Sequence, residues 1–254
     1  MPVTGISWQQ AFAGGWRGGA STLGAVREGS PAGNEGDERP AGPAGPAGLT
    51  LRERKKLRTR RALVEEALRL FTEQGFGETT LDELVDAVEI SQRTFFRTFA
   101  SKEDVALAPE KELWAAYVAG IEARPPGPGR SPLASYQETL FAAVREMAEG
   151  WERRFLCSRA LCERTPALLA HSLRHCAEVT DRVLHITAER RPAAGGGRDQ
   201  ELRLLLLLEL MLAAWRWAVR QWAAAGQGAD REALYGHMRE AFAAIPDAAA
   251  LARH

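Results

Sequence analysis

From residue 51 onward the apolar positions recur with a helical period. Val64, Ala67, Leu68 and Phe71 fall at i, i+3, i+4 and i+7, the stripe of a helix packed on one side. Gly75, after Gln74, is the expected stop. Thr80 and Glu83 then form a capping-box pattern ahead of Leu81, Leu84, Val85 and Val88. Ser91 offers another cap before a short apolar face of Phe95, Phe96 and Phe99, and Ser101 with Asp104 marks a fourth start. The spacing predicts a compact tri-helical unit whose second and third helices form a helix-turn-helix over residues 80–99.

The remainder, 108–254, also reads as helices, making the chain all-α. Pro109 opens a helix through Trp114, Tyr117 and Ile121, ended by the breaker Arg124-Pro125-Pro126-Gly127-Pro128-Gly129. Ser131-Pro132 reads as a cap with a proline at the first helical position, opening a helix towards Trp151, and Thr165-Pro166 repeats the signal. Leu169, Leu173, Cys176, Val179, Val183 and Ile186 form the expected inner stripe of the next helix, which Pro192 and Gly195-Gly196-Gly197 end. One more helix carries Leu204, Leu208, Met211, Trp215, Val219 and Trp222. The last carries Leu234, Met238, Phe242 and Ile245.

Residues 1–50 lack this order. Twelve of the 24 glycines precede residue 49, and Ile6, Trp8, Phe12, Trp16 and Leu23 follow no period, so a disordered extension is expected. No basic start with an apolar core follows Met1, and the apolar run from Leu204 to Trp222 is broken by Glu209, Arg216 and Arg220. Three cysteines without paired spacing fit a reducing compartment. These features predict a soluble cytoplasmic protein.

Lys+Arg 33 against Asp+Glu 33 excludes a wholly basic nucleic-acid binder but not a basic patch. Charge is in fact segregated. Arg52, Arg54, Lys55, Lys56, Arg58, Arg60 and Arg61 against Glu53 give a net +6 over residues 52–61. Glu65, Glu66, Glu73, Glu78, Asp82, Glu83, Asp86 and Glu89 against Arg69 give −7 over residues 65–89. Arg93, Arg97 and Lys102 then restore positive charge. A basic run is usually a solvated face, but one that coincides with a helix-turn-helix is the footprint of a DNA-binding unit.

The stretch from Arg58 to Leu107, with Phe71, Gly75-Phe76, Thr79-Thr80, Ser91, Thr94, Phe99 and Ser101-Lys102-Glu103, resembles the DNA-binding domain of TetR-family transcriptional regulators. It is similar to the subgroup whose recognition helix reads Ser-x-Arg-Thr-Phe-Phe. Arg93 stands where many members have Gly, and Phe96 where many have Tyr. Val88-Glu89-Ile90 replaces an Ala-Gly-Val turn, so the left-handed position falls on Glu89 at a cost of ~1 kcal/mol relative to Gly. The resemblance implies a DNA-binding domain over 51–107 and a helical effector-binding and dimerisation domain over 108–254. A sequence-specific regulator follows, commonly a repressor, released from DNA by a small molecule.

A recognition helix in the major groove gives each residue an expected role. Gln92 can pair bidentately with adenine, and Arg93 with O6 and N7 of guanine. Ser91 and Thr94 are short donors suited to phosphate, and equally suited to a cap or the helix surface. Arg97 and Lys102 are expected backbone clamps. Thr80 combines capping, its safer role, with a possible phosphate contact.

In the resembled family the last two helices pair across a homodimer, matching a palindromic operator of double-stranded DNA. The apolar excess of those helices here permits that, although burial within one chain accounts for it equally. The resemblance also implies an apolar effector pocket, with Trp114, Tyr117, Phe141, Phe155 and the cysteines as candidates. His171 and His175 have a metal-compatible spacing, but they fall with Glu178 and Arg182 outside the apolar stripe, which favours a solvent-facing pair. Cys157 and Cys162 lie about 140° apart around a helix at ~100° per residue, and Cys176 reads as core. A redox- or metal-sensing regulator is the alternative. A helical scaffold or enzyme is a weaker one, since no activated nucleophile, catalytic pair or phosphate loop is present. No cofactor is expected.

Overall fold

A computed structural model describes residues 50–124, 129–190, 197–226 and 229–251. The expected N-terminal extension, except Thr50, lies outside them, as do most of the 124–129 breaker and the stop at Pro192 and Gly195-Gly196. The described residues contain helices and no strand.

Helix α1 (Leu51–Glu73) begins at a capping box in which Thr50 and Glu53 exchange hydrogen bonds, so Thr50 belongs to the fold rather than to the extension. Its buried face is Leu63, Val64, Ala67, Leu68, Leu70 and Phe71. Helix α2 (Leu81–Ala87) starts at the expected Thr80–Glu83 box, and α3 (Gln92–Thr98) at Ser91, whose hydroxyl accepts from the Thr94 N–H. Between them Glu89 takes φ 53°, the left-handed position that the family resemblance implies. Helix α4 (Lys102–Ala106) is capped by Ser101, and Leu107 separates it from α5 (Ala108–Ala123).

Five further helices and a short terminal one follow: α6 (Pro132–Glu146), α7 (Trp151–Arg164), α8 (Pro166–Glu189), α9 (Gly197–Ala224), α10 (Arg231–Ala243) and α11 (Ile245–Ala250). The helix opened by Ser131-Pro132 stops at Glu146. Gly150 turns the chain at φ 74°, and α7 starts afresh at Trp151. Trp151 is fully buried and donates from Nε1 to the Pro109 carbonyl at 2.9 Å, pinning α7 to the start of α5. Arg231 of α10 pairs with Glu152 and donates to the Arg145 and Met147 carbonyls, clasping the α6–α7 corner.

The described residues from Thr50 to Leu251 fall within one compact unit. Leu161, Cys162 and Leu168, from α7 and α8, complete the apolar cluster of the tri-helical unit. The second cluster lies among α5 to α11 and holds Trp114, Tyr117, Trp151, Phe155, Trp215 and Trp222. No helix among the described residues is long and apolar enough to cross a membrane.

Candidate functional site

Helix α3 is seated by Phe95 and Phe99, both buried, while Arg93, Arg97 and Phe96 face outward. Phe96 therefore departs from the expected apolar face: it is 55% exposed, with only its edge-on contact to Phe95 at 5.4 Å beneath it. The seven-residue helix buries Phe95, and Phe99, its C-cap with extended backbone (φ −137°, ψ 143°), is buried beside it, which leaves Phe96 on the outer side.

The polar residues of this surface are partly held by one another. Ser91 and Thr94 join their hydroxyls at 3.1 Å. The Gln92 amide donates to Asp82 of α2, which fixes its direction. Thr80 is engaged with Glu83 through both backbone and side chain. Arg93 and Arg97 make no ion pair or hydrogen bond among the described residues, leaving both guanidinium groups open to solvent.

The cations divide into two groups that the sequence could not separate. Arg52, Arg54, Lys55, Lys56 and Arg58 are exposed on the first turns of α1. Arg60 instead donates to the Thr98 carbonyl at 3.3 Å, stacks 4.3 Å over the Phe99 ring and pairs with Glu112. Arg61 donates to the Glu149 carbonyl. Lys102 points inward: its ammonium donates to the carbonyls of Phe76 and Thr79, each at 2.7 Å, and lies 4.6 Å over the Phe76 ring.

Behind this unit lies a cavity of about 280 Å³ between α5, α7, α8 and α9. Trp114, Phe155 and Cys176 line it, together with Leu212 and Trp215. Tyr117 is packed in the core beside Trp114, and Phe141 packs on Tyr235 and Phe242. Cys157 lines a separate cleft between α1 and α7, and Cys162 is buried in the tri-helical core. Burial pushes the Cys162 thiol up to about 11 and also raises that of Cys176, which disfavours the reactive thiolate.

Glu110 and Arg159, which no sequence pattern singled out, also line the cavity. Glu110 is only 6% exposed; its Oε1 accepts from the Ser172 hydroxyl at 2.8 Å, and its Oε2 lies 3.4 Å from Arg159. Ser172 is buried because α8 is turned differently from its leucine stripe. Leu168 and Ser172 face inward while Leu169 and Leu173 are exposed. The same rotation brings His171 and His175 partly inside, correcting the solvent-facing expectation. His171 Nε2 lies 3.3 Å from both Asp104 and Lys111, a junction of α4, α5 and α8. The buried Ser172 hydroxyl is satisfied by its hydrogen bond to Glu110. No cluster of three or more metal-ligating side chains occurs among the described residues.

Residues 63–108 match the family model "Bacterial regulatory proteins, tetR family". The HTH-type transcriptional regulator TcmR of Streptomyces glaucescens is 36% identical over 188 residues, covering 72% of this chain and 81% of its own. Among solved structures, PfmR from Thermus thermophilus is 19% identical, covering 72% of this chain and 96% of that one at a TM-score of 0.41. Salmonella enterica GusR is 20% identical, covering 74% and 94% at a TM-score of 0.41. With the TcmR identity running from the tri-helical unit well into the helices behind it, the chain belongs to the TetR family of bacterial DNA-binding transcription regulators.

Proposed function

We propose that the protein is a homodimeric repressor that reads a palindromic operator and leaves it when a small molecule enters the cavity behind α5. The outward projection of Arg93 and Arg97 from an α3 anchored by Phe95 and Phe99 carries this reading. Arg93 reads guanine, and Gln92 reads adenine after exchanging its Asp82 partner for the base edge. Arg97, Ser91, Thr94 and Thr80 contact phosphate, with the exposed cations of α1 adding charge nearby. Lys102 serves by bracing the turn before α2, since its donors already meet two carbonyls.

Dimerisation is supported by Leu202, Leu206 and Leu210, successive turns of one α9 face that are 52%, 53% and 36% exposed. An apolar row of this kind is a common mark of an interface, and two-fold pairing through it suits an inverted repeat. Selection from a pool of randomised duplexes tests the reading. Enrichment of an inverted repeat with guanine in each half-site is expected; recovery of no common sequence, or of a single unrepeated site, would overturn it.

A further inference from the structure

We propose that the cavity between α5, α7, α8 and α9 takes an organic anion with an apolar body, and that Arg159 binds its anionic group by exchanging Glu110 for it. This rests on the reading of that cavity as the effector site. Trp114, Phe155 and Trp215 supply the apolar wall, with Trp215 centred 6.0 Å from Trp114 and 6.1 Å from Phe155.

The exchange is chemically reasonable because Glu110 does not depend on Arg159. It sits in the first turn of α5, where unpaired backbone N–H groups favour a carboxylate, and it keeps the Ser172 hydroxyl. Arg159 is tied to it by one long contact of 3.4 Å, and a guanidinium has five donors in a fork suited to a carboxylate or sulfonate. The rim adds Arg216 and Arg220 on α9, one turn apart. Arg216 meets Glu209 only at 3.9 Å, and Arg220 has no ion pair among the described residues. Among the described residues Glu163 is the one other acid lining the cavity, and it is exposed to solvent. A cationic ligand would face three arginines, with the buried carboxylate already engaged. Capture of Arg159 by the ligand also removes a tie between α7 and the first turn of α5, directly after the α4 helix that packs against α1.

Two fluorescent probes of nearly one shape separate charge from apolar fit: 8-anilino-1-naphthalenesulfonate and the uncharged N-phenyl-1-naphthylamine, which lacks the sulfonate. Titrated into the full chain, the anion should bind about tenfold more tightly, the worth of a charged hydrogen bond. Arg159→Gln should abolish that preference and leave the uncharged probe unchanged, which also shows that the variant is folded. Arg159→Lys should keep part of the preference. Glu110→Gln, by freeing Arg159, should tighten the anion severalfold without affecting the uncharged probe. Equal binding of the two probes to the unaltered protein, or equal weakening of both by Arg159→Gln, overturns the proposal while leaving the effector site in place. Ala223→Trp, at the exposed rim, should weaken both probes. If it affects neither, they bind elsewhere and the assignment of this cavity falls.

Discussion

The Lys102 ammonium and the Thr79 carbonyl are joined at 2.7 Å, and the same ammonium holds the Phe76 carbonyl, so one side chain closes the turn between α1 and α2. Both acceptors belong to the segment that positions the N-cap of α2. Lys102→Met should therefore cost stability, roughly 1–3 kcal/mol for charged hydrogen bonds, read by urea denaturation. The salt dependence of DNA binding should stay as it is. A slope reduced by about one would instead make Lys102 a phosphate contact.

Glu89 holds φ 53° between α2 and α3, where a side chain is strained. Glu89→Gly should stabilise the protein by about 0.5–1 kcal/mol, the relief of strain being partly offset by a more flexible unfolded chain. Thermal melting at one pH would show the gain. An unchanged or lowered midpoint would mean that the turn carries no such strain.

Arg93 is exposed and unpaired among the described residues, as a base-reading side chain must be before DNA arrives. Arg93→Ala should weaken binding to the selected operator by about 1–3 kcal/mol while leaving binding to unrelated DNA nearly unchanged. Equal losses on both would assign Arg93 to the phosphate backbone.

His175 titrates below its ordinary 6.5 because burial disfavours its charge, with the Lys111 ammonium acting in the same direction. Near pH 6 the unfolded chain thus takes up a proton that the folded one refuses. Stability should fall as pH drops through about 6.5, by no more than about 1.4 kcal/mol per pH unit for this one proton. His175→Gln should flatten that part of the stability profile, measured by denaturation between about pH 7.5 and 5.5. A slope identical to that of the unaltered protein would remove His175 as its source.

Leu206 stands at the middle of the exposed α9 row. The chain should sediment as a dimer at micromolar concentration if α9 pairs through this row, and Leu206→Glu should then sediment as a monomer with helicity retained. A persistent dimer would place the interface on another face.

What could be read from the sequence was local. The Thr80–Glu83 box, the Ser91 and Ser101 caps and the α1 stripe each depend on residues within one or two turns, and each is where the pattern put it; the left-handed Glu89 is where the family resemblance put it. The Thr50–Glu53 box carries the same Thr-x-x-Glu signal and was open to the same reading. What could not be read depends on packing between distant segments. The inward face of α8 carries Leu168 and Ser172, the latter bonded to Glu110 62 residues away, while Leu169 and Leu173 are exposed. Arg60, Arg61 and Lys102 look like further members of a basic field, and only their partners at Thr98, Glu149 and Thr79 remove them from it. Arg159 and Glu110 likewise read as ordinary surface charges until α5, α7 and α8 meet.

The most direct test of the central claim is a fluorescence-anisotropy titration of the full chain. The inverted repeat recovered by selection is compared with a scrambled duplex of equal length, both at one fixed salt concentration. The expected result is a preference of roughly a thousandfold or more for the repeat, the margin of a sequence-specific regulator. Equal affinity for the two duplexes would contradict sequence-specific reading by α3.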